Sequence, residues 1–205
     1  MSNTSLRYIG DVSQADAKII SEYAKNSNKI LEFGCGASTQ ILAQSCKKDT
    51  LIISVDTEIK WINSTRKLLT ELDIHHPVKF VEYAKLTSIQ EDNFDIIFND
   101  GLNHKRKDFG IHTWNKLKVG GTYLTHDTRR QNDVNRNVNG IIENYFMEIG
   151  EVKINVNNSN ITSITKTAKK VYENWNGVEK RQGWMINPHM PKPKNWKEIL
   201  DKLPV

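Results

Sequence analysis

Short apolar runs alternate with amphipathic stretches along most of the chain. KILEF (29–33), LIISVD (51–56), VKFVEY (78–83), FDIIFND (94–100) and TYLTHD (122–127) are runs of strand length bounded by turn residues. Between them, apolar positions recur at spacings of three and four, the period of a helix. Residues 13–26 predict a helix capped by Ser13, with Ala17, Ile20 and Ala24 on one face. STQILAQSC (38–46) predicts a second, capped by Ser38 or Thr39. In EIKWINSTRKLLTEL (58–72), Ile59, Ile62, Arg66, Leu69 and Leu72 lie near one face. KDFGIHTWNKLK (107–118) predicts a helix ended by Gly120 and Gly121, and residues 131–147 another, weakened at Gly140. EVKINV and ITSITK, joined by NNSN, predict a hairpin. No internal repeat is visible.

Strands that alternate with helices predict an α/β fold, a mostly parallel sheet covered on both faces. The final pair must be antiparallel, because four residues cannot cross over between parallel strands. Ligands of such sheets bind beyond the carboxyl ends of the strands, so the loop after the first strand is the place to look. It reads GCGAST. Gly34 and Gly36 permit a tight turn and leave room against the main chain. A dinucleotide loop would have a third glycine where Thr39 stands, which counts against a nicotinamide-linked dehydrogenase. Glu32 precedes the loop, and Asp56 ends the second strand, placed to accept the hydroxyls of a ribose. A second carboxylate beside the loop suits an ammonium or sulfonium ligand better than a pyrophosphate.

The succession ILEFGCGAST, SVDTEIKW, FDIIFNDG, KLKVGGTYLTHD resembles the class I S-adenosylmethionine-dependent methyltransferases, nearest to their small-molecule O-methyltransferase-like branch, over about residues 28–165. The resemblance implies a Rossmann-like, doubly wound sheet of seven strands, mostly parallel, whose last strand inserts antiparallel. It implies that Glu32, Gly34, Gly36 and Ser38 surround the methionine part of S-adenosylmethionine. Asp56 would hold the ribose beside Thr57 and Glu58, Tyr83 and Ala84 would lie near adenine, and Asp100 below the methyl group. Some relatives hold a magnesium ion at these strand ends, where Asp100 and Asp127 stand. Thr128 replaces their usual third oxygen ligand. Methyl transfer to a hydroxyl needs the acceptor positioned and its proton removed. Asp100 and His104 sit at one strand end, His126 and Asp127 at another. A histidine titrating near neutrality suits the base, His126 first and His104 second. The expected activity is O-methylation of a small-molecule hydroxyl, on a sugar or a phenol. The alternatives are a nucleic-acid methyltransferase or a cofactor-binding accessory protein without transfer activity.

Composition alters this picture at one end of the chain. The 205 residues fit one domain with an extension. The formal charge is +5. Residues 166–205 contain nine basic and four acidic side chains, which accounts for all of it, and residues 1–165 are neutral. The expected division is therefore a methyltransferase domain over 1–165, with 1–28 a helical lead-in, and a basic extension over 166–205 containing Tyr172, Trp175, Trp184 and Trp196. Basic and aromatic residues together can bind single-stranded nucleic acid or can dock the extension on the domain. Arg129, Arg130 and Arg136 either clamp an acidic group on the acceptor or form a solvated loop. The chain lacks the D/N-P-P-Y/F/W motif of amino-methylating DNA enzymes, and neither Cys35 nor Cys46 follows a proline, which disfavours a cytosine-C5 methylase. No apolar run is long enough for a membrane span, and the N-terminus has no secretory leader pattern, so a cytoplasmic protein is expected. Oligomeric state is not readable from these features.

Overall fold

A computed structural model describes residues 6–130 and 137–169. They build a seven-stranded sheet in the order β3-β2-β1-β4-β5-β7-β6. The strands are β1 (Lys29–Phe33), β2 (Leu51–Asp56), β3 (Val78–Glu82), β4 (Phe94–Asn99), β5 (Leu117–His126), β6 (Ile149–Lys153) and β7 (Ile161–Lys166). β1 to β5 pair in parallel, and β7 lies antiparallel between β5 and β6. The expected fold is thus present, including the inserted hairpin. The helices are α1 (Gln14–Ala24), α2 (Ala37–Ser45), α3 (Ile59–Glu71), α4 (Asn103–Thr113) and α5 (Asn139–Tyr145). Among the described residues no helix is long and apolar enough to cross a membrane.

Period-two alternation sends neighbouring residues of β1 to opposite faces. Leu31 and Phe33 enter a cluster with Phe109, Trp114 and Tyr123 on one side. Ile30 joins Ile20, Ile41 and Phe98 on the other. Glu32 shares the side of Ile30, so a carboxylate is built into the layer under α2. This is the first sign that Glu32 works from inside the fold.

Three elements differ from the sequence pattern. The helix expected over 107–118 instead runs Asn103–Thr113, and the chain is already in β5 at Leu117. Gly120 and Gly121 therefore stop no helix. Gly120 has φ +82°, and a Cβ on Gly121 would stand 2.8 Å from Leu117 Cδ1, so the pair makes a bulge inside β5, where the register with β4 shifts. β6 begins at Ile149, two residues before EVKINV, and ends at Lys153 because Asn155, Asn157 and Asn158 take left-handed conformations that close the turn. α5 covers part of the helix expected over 131–147, and residues 131–136, with Arg136, lie outside the described residues. The same holds for residues 170–205, with the four aromatics of the extension. The sheet reaches one residue beyond 165. Lys166 is buried in β7 and donates to the carbonyls of Trp114 and Leu117 at 3.0 and 2.9 Å, so its charge belongs to the domain.

Candidate functional site

The strand order reverses at β1, which has β2 on one side and β4 on the other. The loops that leave β1 and β4 diverge there and open a crevice. Backbone hydrogen bonds fix its floor: Gly34 N–H donates to Val55 O and Asp100 N–H to Phe33 O, both at 2.8 Å. Gly34 has φ +90°, and a Cβ there would lie 2.5 Å from the Asp100 carbonyl, so only glycine fits. At Gly36 an added Cβ would meet no protein atom within 4 Å. That open space belongs to a cavity of about 390 Å³ lined by the β1–α2 loop, Asp56 to Glu58, Trp61, Asp100 to Leu102 and Ile9 to Val12.

Glu32 does not line this cavity. It is fully buried, and three hydroxyls donate to it: Ser38 to Oε1 at 2.6 Å, Thr39 to Oε2 at 2.6 Å and Ser54 to Oε2 at 2.5 Å. Thr39 Oγ1 also accepts from Gly36 N–H at 2.9 Å. Thr39, the residue in place of a third glycine, is therefore the link that ties the loop to Glu32. Burial raises the Glu32 carboxyl to about 7, against the pull of the Ser38, Ser54 and Thr39 hydroxyls. Asp56 is 8% exposed and faces the cavity. Its Oδ2 accepts from Cys35 N–H at 3.0 Å and its Oδ1 from Glu58 N–H at 2.9 Å. The Cys35 thiol makes a weaker contact to Oδ2 at 3.5 Å. A carboxylate has about four acceptor positions, so one, on Oδ1, remains for a ligand hydroxyl. Burial pushes the Cys35 thiol well above its ordinary range, with Asp56 and Glu32 adding to the effect, so it stays protonated.

The remaining expected residues separate. Gly34, Gly36, Ser38, Asp56, Thr57, Glu58 and Asp100 line the cavity. Tyr83 and Ala84 do not, because the chain turns into a 3₁₀ segment at Tyr83 and its ring packs on Phe33 with centroids 5.0 Å apart. Trp61 does line it, 51% exposed on α3 and outside the core. His104 lies exposed in the first turn of α4 and lines neither this cavity nor the one described next.

His126 is the centre of a buried ionic cluster. Its Nδ1 lies 3.1 Å from Asp100 and 3.5 Å from Asp127, and its Nε2 lies 3.3 Å from Asp16 on α1. Burial works against the charged ring, but the hydrogen bond and charge of Asp100, then Asp127 and Asp16, outweigh it and raise the imidazole to about 9. For Asp16, burial is likewise overcome by Ser13, by the Asn160 N–H and by His126, which hold its carboxyl below the usual value. Asp127 has φ +65°, a left-handed conformation that aspartate tolerates. A second cavity of about 290 Å³ opens on this cluster, lined by Asp16, His126, Asp127, Arg129, Asn158 and Asn160, and it shares Asp11 with the first.

Asp100, His126 and Asp127 bring one ligand-type atom each within 4.8 Å of one another. Arg106, on α4, already sits on both carboxylates. Its Nη2 lies 2.8 Å from Asp100 Oδ1 and 3.1 Å from Asp127 Oδ2. Arg106 and Asp16 were not among the sequence candidates, although each left a signal. Arg106 lies on the buried face of α4 with Phe109, Gly110 and Thr113, at helical spacing. Asp16 precedes Ala17 on the face of Ile20 and Ala24. A charge on an otherwise apolar face needs a partner, and both partners are in this cluster.

Residues 31–128 match a family model described as "Methyltransferase domain". No curated protein matches the chain. Among solved structures, the chain is similar to an O-methyltransferase from Bacillus cereus in complex with SAH, at 17% identity, covering 76% of this chain and 83% of that one, with a TM-score of 0.59. It is also similar to the O-methyltransferase TomG of Streptomyces achromogenes, involved in tomaymycin synthesis and in complex with SAM, at 16% identity, 77% and 82% coverage and a TM-score of 0.61. A SAM-dependent O-methyltransferase from Thermotoga maritima matches at 15% identity, 83% and 71% coverage and a TM-score of 0.64.

Proposed function

We propose that the chain is a class I O-methyltransferase-like protein, its residues 31–128 matching a methyltransferase-domain model, and that it methylates a hydroxyl of a small, polar, sugar-like acceptor. S-adenosylmethionine, when bound, supplies an electrophilic methyl group on a sulfonium. The residues that would hold it fit that group. Gly36 leaves the space a close ligand contact needs, Asp56 keeps an acceptor position on Oδ1 for a ribose hydroxyl, and Trp61 offers an exposed ring face. Glu32 acts from behind the loop, by fixing Ser38 and Thr39.

The observation that carries the reading is the second cavity. It shares the Asp11 wall with the cofactor cavity, and it has His126 in its own wall. Apart from the His126 ring, its described lining is carboxylates, amides, Ser13 and Arg129, with no Phe, Tyr, Trp or aliphatic side chain. Such a wall hydrogen-bonds a polyhydroxylated acceptor and gives a phenol ring only the His126 imidazole to pack on. It therefore favours a sugar-like acceptor of the two expected. His126 is the proposed base, with Asp16, Asp100 and Asp127 orienting its ring, and the fold's task is to position the acceptor in line. Within the same reading, the basic residues up to 205 form an extension that follows the methyltransferase domain in sequence.

Titration calorimetry with S-adenosylhomocysteine tests the first half. Binding should be micromolar, and Asp56→Ala should weaken it about 10- to 100-fold, the loss of one hydrogen bond to a charged group. Gly36→Ala should weaken it by about tenfold or more, because its methyl group would occupy ligand space. Unchanged affinity in both variants would place the cofactor elsewhere. Mass spectrometry of panels of sugars and phenols incubated with the enzyme and S-adenosylmethionine tests the second half. A methylated phenol with no methylated sugar would overturn the acceptor assignment.

A further inference from the structure

Two carboxylates at the ends of adjacent strands, with a histidine between them, are a donor set that a divalent cation can take. In this chain the place is filled from within. Arg106 is 4% exposed, and every part of its guanidinium is engaged. Nε donates to Gly101 O at 2.6 Å, Nη1 to His126 O at 3.4 Å, and Nη2 to Asp100 Oδ1 at 2.8 Å, Asp127 Oδ2 at 3.1 Å and Asp100 O at 3.4 Å. The backbone under it is also held, because Asn99 Nδ2 donates to Arg106 O at 2.8 Å. Arg130 makes a further ion pair with Asp127 Oδ2, and Asn160 Nδ2 donates to Asp127 Oδ1 at 3.2 Å.

We propose that Arg106 is a built-in cation that occupies the place of a divalent metal between Asp100 and Asp127, so that the chain is metal-independent. A magnesium ion needs near-octahedral oxygen ligands at about 2.0–2.1 Å and keeps several waters. It could reach the facing oxygens of Asp100 and Asp127 only after the guanidinium had left. The guanidinium cannot leave cheaply, since it would abandon both carboxylates and three backbone carbonyls in a buried place. Thr128, next in the chain, does not offer itself as a replacement ligand. Its hydroxyl lies 3.0 Å from Asn155 Oδ1 and 2.9 Å from Thr162 Oγ1. Arg106 lines neither cavity and acts through the residues that do, so it is a positioning residue. It fixes the two carboxylates that face the His126 ring, a geometric task that a metal ion would otherwise perform.

The test is a Mn²⁺ titration of the full-length chain followed by electron paramagnetic resonance, without cofactor. The wild-type protein should leave the free Mn²⁺ signal unchanged up to about 1 mM, and Arg106→Lys, which keeps the charge, should do the same. Arg106→Met removes the charge at similar volume. It should create a site that quenches the signal at sub-millimolar Mn²⁺, and adding Asp127→Asn should abolish that site. Saturable Mn²⁺ binding by the wild type below about 100 µM, lost in Asp127→Asn, would overturn the proposal. If Arg106→Met does not fold, the wild-type and Arg106→Lys titrations decide the matter alone. Cofactor binding is not part of this readout, so a failed methyltransferase assignment would leave its result intact.

Discussion

Replacement of His126 by glutamine should lower kcat/KM by about 10²- to 10⁴-fold, the range for loss of a positioned general base. The residue is 7% exposed, so glutamine is chosen to keep volume and a hydrogen-bonding group near Asp100. The cofactor cavity does not include His126, so affinity for S-adenosylhomocysteine should stay within about twofold of wild type. The pH dependence is the sharper readout. Only the neutral ring can take a proton, and three carboxylates raise its titration to about 9. The wild-type kcat/KM should therefore climb with pH, about tenfold per unit below that value, and level off above it. His126→Gln should lose this limb. A wild-type profile flat from pH 6 to 10 would remove His126 from the role of base, and equal losses in affinity and turnover would make it structural. The exposed His104, the second candidate, serves as the control: His104→Gln should leave both the limb and the rate in place.

The fold was legible because its strands announce themselves locally. β1 and β2 carry their whole signal in five and six residues, and their bounds coincide with the apolar runs KILEF and LIISVD. The antiparallel pairing of the last two strands was legible from loop length, and the insertion of β7 beside β5 only from the family resemblance. The α4 boundary was not, because Arg106, a long cation on the inner face, reads as polar until its partners at two other strand ends are known. The same limit applied to the site. Gly34, Gly36 and Asp56 follow from one loop and the strand beside it. The ionic cluster joins Asp16, Asp100, Arg106, His126 and Asp127, which are contributed by α1, α4 and the ends of β4 and β5. No single stretch of sequence contains enough of it to be recognised. Glu32 was legible as a carboxylate beside the loop, and its burial behind the loop was not. Its position one residue before Phe33 shows its face, but only the structure shows that Ser38, Thr39 and Ser54 all turn to it.

That arrangement makes Glu32 the residue whose titration should be visible in stability. Its carboxyl titrates at about 7 in the folded chain, against 4.5 in an ordinary environment. Below 4.5 both folded and unfolded states hold the proton, and the favourable contribution is fully present. As pH rises, the unfolded chain releases the proton first, so stability falls, and the fall is complete once pH has passed the folded value of about 7. A displacement of this size corresponds to about 3 kcal/mol at pH 8 and above. Glu32→Gln stays neutral throughout. Its carbonyl can accept from Thr39 and Ser54, and its amide can donate to Ser38, whose hydroxyl is free to rotate. Chemical denaturation should therefore show Glu32→Gln close to wild type at pH 5 and more stable by up to about 3 kcal/mol at pH 8. Glu32→Leu strands the three hydroxyls instead and should lose about 2–4 kcal/mol at every pH, with cofactor affinity falling as the loop loosens. If the difference between wild type and Glu32→Gln does not change with pH, the three hydroxyls solvate the charge well enough to offset burial. The loop would then rest on a buried carboxylate ion, whose negative charge would lie directly behind Ser38 in the cofactor cavity wall.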